Sequence, residues 1–189
     1  MPAARGAEKN VLVFGDSISA AYGMNLTESW TQLIAQKLRQ HKPGYSLEND
    51  SISGETSAGG LARITQALAR VRPSIVLLEL GANDGLRGLS AVELKHNLAD
   101  IVKLSQDSGA KVLLLGMKIP PNYGKRYIDL FYQVYPQLAA KMQLPLAPFI
   151  LDGIADHPEL MQADGLHPNT KAQPLIAGYI WRYLEPLLD

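Results

Sequence analysis

Four short polar segments interrupt an otherwise ordinary succession of apolar runs: Gly15-Asp16-Ser17-Ile18-Ser19, Ser51-Ile52-Ser53-Gly54-Glu55-Thr56, Gly81-Ala82-Asn83-Asp84-Gly85 and Asp164-Gly165-Leu166-His167-Pro168. Together they hold serine hydroxyls, a histidine, carboxylates and an asparagine amide, the groups from which acyl transfer is built. A serine hydroxyl is a poor nucleophile at neutral pH until a base lies within hydrogen-bond reach. His167 can supply that base, and a carboxylate can hold its imidazole in the right tautomer. Asp164 stands three residues before His167, so one turn of chain can bring both side chains to the same side. A tetrahedral intermediate also needs N–H donors for its oxyanion. A glycine backbone suits because it approaches substrate closely, and an asparagine amide because it donates without charge.

Each segment has a plainer use when taken alone. Gly15-Asp16-Ser17 could be a strand-to-helix turn with a helix cap, and Gly81 to Gly85 an Asx-type turn. Gly54 to Gly60 could open a helix, and Asp164-Gly165 could be a surface turn. Among the four histidines, His157 is a decoy. Its Asp156-His157-Pro158 mimics the last segment, but adjacent side chains diverge. His41 and His96 lie in polar helical surroundings and are expected to be solvated. Asp16 is expected to tie down its own turn, and Asp84 and Arg87 to order the loop after Asn83. Other constellations fail: Gly60-Leu61 stands where a P-loop requires Lys and Ser or Thr. There is no G-x-G-x-x-G fingerprint and no metal-ligand spacing. Ser19 occupies the final glycine position of a G-x-S-x-G elbow.

The elements that must position these segments are legible as continuous apolar runs. Asn10 to Phe14, Ile75 to Leu80 and Lys111 to Leu115 read as buried strands, with Tyr45 to Asn49 and Leu144 to Ala147 as weaker ones. Between them run helical stripes: Trp30, Leu33, Ile34 and Leu38 behind an N-cap at Thr27; Leu61, Ile64, Leu68 and Val71; and Leu94, Leu98, Ile101 and Val102. Ile128, Phe131, Tyr132, Tyr135 and Leu138 follow, with Pro136 expected to kink them. Leu175, Ile176, Tyr179, Ile180, Tyr183 and Leu184 close the chain. Strand-helix alternation implies a parallel sheet covered on both faces, with ligands bound beyond the strand C-terminal ends. The polar segments follow strands, which is where such a site must be.

Composition agrees with one globular domain spanning 1–189, with 1–9 as a flexible N-terminal lead. The 189 residues are 47% hydrophobic and 19% charged, which excludes wholesale disorder and coiled coil. Eighteen basic and eighteen acidic residues leave no net field to draw nucleic acid. No apolar run approaches the roughly 20 residues of a membrane helix. Cysteine is absent, removing thiolate chemistry. Met1 to Gly6 lacks a signal-peptide h-region, so the protein is cytosolic or has lost a leader.

The four segments, in this order, resemble the sequence blocks of the SGNH (GDSL-type) hydrolases. They are most similar to the small bacterial multifunctional esterase, thioesterase and lysophospholipase branch, often called arylesterases. Leu61-Ala62-Arg63, Gly85-Leu86-Arg87-Gly88 and Pro121-Asn122-Tyr123-Gly124 also resemble that branch. Ile18 departs conservatively from the leucine of the family's naming motif. The resemblance implies Ser17 as nucleophile, His167 as general base and then acid, and Asp164 as its orienting partner. It assigns the oxyanion to the backbone N–H groups of Ser17 and Gly54 and the amide of Asn83. It further implies a three-layer α/β/α sandwich, flavodoxin-like, with five parallel strands in the order 2-1-3-4-5, and hydrolysis without cofactor or metal. Substrates would be small acyl or aryl esters, acyl thioesters or lysophospholipids. A carbohydrate O-deacetylase and a non-catalytic anion-binding module are the alternatives. Met117 to Tyr127 is expected to shape the acyl pocket, with Pro120 and Tyr123 touching substrate. Family analogy places the protein in the periplasm or outside the cell, with the cytoplasm as alternative; the oligomeric state is left open, a monomer being compatible with the sequence.

Overall fold

The five apolar runs form five strands, and every pairing between them is parallel. The computed structural model describes residues 9–189, so all of the expected N-terminal lead except Lys9 lies outside the described residues. Strand β1 (Lys9–Gly15) already includes Lys9 and is followed by α1 (Trp30–His41), β2 (Tyr45–Asn49) and α2 (Ser57–Val71). Next come β3 (Pro73–Glu79), a short α3 (Ala82–Leu86), α4 (Ala91–Asp107) and β4 (Lys111–Leu115). The chain ends with α5 (Lys125–Met142), β5 (Leu146–Ala147) and α6 (Gln173–Leu184). The sheet order is β2-β1-β3-β4-β5, as expected. Helices α1 and α6 pack on each other on one face; α2, α4 and α5 cover the other, giving three layers.

The interior is the expected one. Val11 to Phe14, Ile75 to Leu78 and Val112 to Leu115 are essentially inaccessible, flanked by Trp30, Ile34, Leu38, Ile64, Leu94 and Ile101. The terminal stripe turns slightly: Ile176, Ile180, Trp181 and Leu184 face the core, while Leu175 is 52% exposed. The cap of α1 is Ser29 rather than Thr27. Ser29 has the extended backbone a cap requires and accepts from Gln32 N–H at 3.3 Å, whereas Thr27 is taken up in a 3₁₀ turn over Leu26–Glu28. Helix α5 runs without interruption through Pro136. Strand β5 is two residues long because Leu144 N–H is turned back to Ala139 O and Pro145 has no N–H to give a ladder.

Two register details matter for the site. Gly15, the last residue of β1, lies opposite Glu79, the last of β3. A Cβ on Gly15 would stand 2.7 Å from Glu79 Oε2 and 2.9 Å from its carbonyl oxygen. Only glycine lets these two strand ends come so close, and the turn that carries Ser17 begins there.

Candidate active site

The segment after β1 makes one helical turn and stops. Ala20 N–H donates to Asp16 O at 2.9 Å, and Tyr22 N–H reaches back to Ser17 O at 3.1 Å. The Asp16 side chain fastens the turn from inside, accepting from Ile18 N–H at 3.1 Å while wholly buried. Ser17 is left half-buried at the sheet's C-terminal edge. Its Oγ lies 2.8 Å from Nε2 of His167, a residue 150 positions later. Nδ1 of the same ring lies 2.7 Å from Asp164 Oδ2. Asp164 Oδ1 accepts from the backbone N–H groups of Leu166 at 2.9 Å and His167 at 3.0 Å, so the carboxylate is fixed by the turn it belongs to. Burial alone would push the Asp164 carboxyl up. The His167 side-chain bond and the two backbone donors outweigh it and hold the group at about 2. The decoy His157 pairs instead with Glu159 at 3.1 Å on the surface.

Three donors converge on the same opening. The backbone N–H groups of Ser17 and Gly54 find no acceptor among the described residues. Gly54 has φ +81, a conformation that favours glycine, and its carbonyl is held by Arg87 Nη2 at 2.9 Å. Asn83 is different: both of its amide N–H groups are engaged, with Asp16 Oδ2 at 3.1 Å and Glu55 O at 2.9 Å. Any further acceptor at this amide would have to share one of them. Asp84 does order this loop, accepting from Ser57 N–H at 2.8 Å and from the Ser57 hydroxyl.

Beneath the nucleophile turn lies a carboxyl that sequence reasoning left inside a strand. Glu79 is fully buried; its Oε2 accepts from Ser19 Oγ at 2.6 Å and from Asp16 N–H at 3.2 Å. Oε1 has no partner among the described residues. Burial, and then the nearby Asp16 charge, push the Glu79 carboxyl well above the usual range. Burial also pushes Asp16 up to about 6, against the pull of Ile18 N–H and His167. The one available signal was a glutamate closing the run Ile75 to Leu80, where a continuously apolar strand has no reason for a charge.

A cavity of about 530 Å³ opens over Ser17, Gly54, Asn83 and His167. Its walls are mostly apolar: Leu86, Met117, Ile119 and Pro120 on one side, Phe149, Leu151 and Met161 on the other. Pro120 thus stands where the sequence placed it. Tyr123 does not: it is absent from the lining, and its hydroxyl donates to Leu86 O at 2.8 Å, bracing the loop behind the wall. The wall from Phe149 to Met161 went unrecognised because it comes from irregular chain with no periodicity.

The chain is similar to known proteins over nearly all of its length. Residues 13–174 match the family model described as GDSL-like Lipase/Acylhydrolase. Esterase TesA of Pseudomonas aeruginosa is 47% identical over 184 residues, 97% of this chain and 92% of that protein. Arylesterase of Vibrio mimicus is 46% identical over 180 residues, covering 95% and 90%. Thioesterase 1/protease 1/lysophospholipase L1 of Escherichia coli is 40% identical over 183 residues, covering 97% and 86%. Among solved structures, that of TesA superposes with a TM-score of 0.93 at 47% identity, covering 95% of this chain and 100% of the other. The psychrotrophic esterase EstA from Pseudoalteromonas sp., inhibited by monoethylphosphonate, gives 0.90 at 42% identity, covering 95% and 98%.

Proposed function

The chain belongs to the GDSL-like lipase/acylhydrolase family, and from that premise we propose that it hydrolyses carboxylic esters through an acyl-enzyme on Ser17. The observation that carries this reading is the continuous line from Ser17 Oγ to His167 Nε2 at 2.8 Å and from His167 Nδ1 to Asp164 Oδ2 at 2.7 Å. His167 takes the hydroxyl proton as Oγ attacks the carbonyl carbon, and Asp164 holds the ring so that Nε2 is the basic nitrogen. The oxyanion forms against the N–H groups of Ser17 and Gly54 and shares an N–H of Asn83. Collapse breaks the bond to the leaving oxygen or sulfur, which receives the proton from Nε2. Water then gives a proton to the same nitrogen, attacks the acyl carbon and releases the acid, returning the proton to Ser17.

The apolar cavity fits acyl chains and aryl groups better than sugars, which need polar walls; this favours esters, acyl thioesters and lysophospholipids over acetylated carbohydrate. Among the described residues no helix is long and apolar enough to cross a membrane. Action in the periplasm or outside the cell completes the reading. A fluorophosphonate probe with a panel of p-nitrophenyl esters and acyl thioesters tests it. Ser17 is expected to be labelled in the wild type and not in His167→Ala, with turnover abolished in Ser17→Ala. Undiminished turnover in Ser17→Ala refutes it.

A further inference from the structure

The helical turn that carries Ser17 ends in an unusual way. Its final bond, Tyr22 N–H to Ser17 O, is the six-to-one closure of a helix C-terminus, and such closures place a left-handed residue, normally glycine, just before the donor. Here that residue is Ala21, at φ +61. A left-handed alanine persists only where its surroundings hold it. What the strained residue does is aim Tyr22. The Tyr22 ring lies against the imidazole of His167, with centroids 4.6 Å apart and planes inclined at 38°, and it remains 51% exposed at the cavity mouth.

A second residue fixes the other end. Gln162 Nε2 donates to Tyr22 O at 2.8 Å and to Pro168 O at 3.2 Å. Its backbone N–H donates to His167 O at 2.7 Å, and its carbonyl accepts from Gly165 N–H at 3.0 Å. Gly23, at φ +74, makes room for this side chain, since a Cβ there would stand 2.2 Å from Gln162 Oε1. One tyrosine is thus bonded through its backbone to the serine's own carbonyl, through its ring to the histidine, and through Gln162 to the loop that carries the histidine.

We propose that Tyr22, held by Ala21 and Gln162, is a positioning residue that sets the Ser17–His167 geometry and supports the imidazolium formed at each proton transfer. The inference rests on the acyl-enzyme reading above. A π face beside a ring that becomes cationic stabilises the cation more than the neutral form, so the contact strengthens as the reaction proceeds. Tyr22→Phe keeps the face and Tyr22→Leu removes it, while Gln162→Met withdraws the amide donors at similar volume. With phenyl acetate, chosen because its acyl group is too small to fill the apolar walls, Tyr22→Phe is expected within twofold of wild type. Tyr22→Leu is expected to lose roughly 3- to 10-fold in kcat with KM unchanged. The rate of Ser17 phosphonylation should fall by the same factor, and Gln162→Met should follow the leucine variant. Melting temperatures should stay within a few degrees. Wild-type kcat in Tyr22→Leu, a change confined to KM, or equal losses in the Phe and Leu variants would each overturn the proposal. Activity surviving in Ser17→Ala would instead remove the reading beneath it.

Discussion

Replacing Glu79 separates two jobs that one buried carboxyl performs, and the structure gives both magnitudes. Glu79→Ala deletes the only acceptor, among the described residues, for Ser19 Oγ and for Asp16 N–H, both wholly buried. Each orphaned donor costs about 1–3 kcal/mol, so the pair costs about 2–6 kcal/mol before any cavity is counted. Against a typical total of about 5–15 kcal/mol that loss is severe. Glu79→Gln keeps a carbonyl oxygen in place of Oε2 and puts its amide nitrogen where Oε1 already lacks a partner, so its cost should be about 1 kcal/mol. The proton equilibrium distinguishes it further. A carboxyl whose native pKa is raised binds more protons folded than unfolded, so its contribution to stability is full below the unfolded value, near 4.5, and declines as pH rises toward the native value. Asp16, raised to about 6, adds a decline of its own in the wild type between about pH 4 and 6. Glu79→Gln has no such carboxyl, so it gives up none of the stability that the wild type loses as this group approaches its native value. Urea unfolding at pH 5, 6.5 and 8 should therefore show Glu79→Gln gaining on the wild type as pH rises. Parallel pH curves, or a glutamine variant as unstable as the alanine one, would refute the argument.

Four further outcomes are expected. Asn83→Ala should lose about 10²–10³ in kcat by steady-state assay. It should also lose about 1–3 kcal/mol in urea unfolding, because its amide holds Asp16 and Glu55 O. Asp164→Asn should cost about 10²–10⁴ in kcat by misdirecting the imidazole tautomer, measured with any activated ester. Gly116→Ala should cost at least about 3 kcal/mol, since its Cβ would meet the Pro148 carbonyl oxygen at 1.6 Å; Gly44→Ala, with open space around it, is the thermal-melt control. Pro120→Trp should shift the ester chain-length profile toward shorter acyl groups, read from kcat/KM across a p-nitrophenyl series.

What the sequence made legible, and what it hid, follows from how local each cause is. Strands such as Ile75 to Leu78 announce themselves because a run buried on both faces must be apolar throughout. Asp164 and His167 were readable because their mutual placement depends on three residues of chain. The meeting of His167 with Ser17 became visible through the family's blocks, not through any local signal. The support around them was not readable. Glu79 acts through atoms of Asp16 and Ser19 some 60 residues away, and Gln162 reaches Tyr22 across 140. Neither carries a periodic or motif signature. Tyr123 was misplaced for the opposite reason: an aromatic beside a proline-rich insert suggests a pocket, whereas its hydroxyl found a carbonyl behind the wall. Thr27 lost the cap to Ser29 because a 3₁₀ turn intervened, a boundary of two residues that propensity does not resolve.

The bond between residues 17 and 167 spans most of the polypeptide, and that separation has a bearing on synthesis. In a chain made from its N-terminal side, the Ser17 hydroxyl is present 150 residues before the imidazole that the proposed mechanism gives it as base. The histidine loop is itself tied to α6, whose Gln173 accepts the first N–H of α1 at 2.9 Å. On the proposed mechanism, chains that stop short of residue 167 are expected to be inert toward esters, with hydrolysis beginning only once the tertiary structure closes.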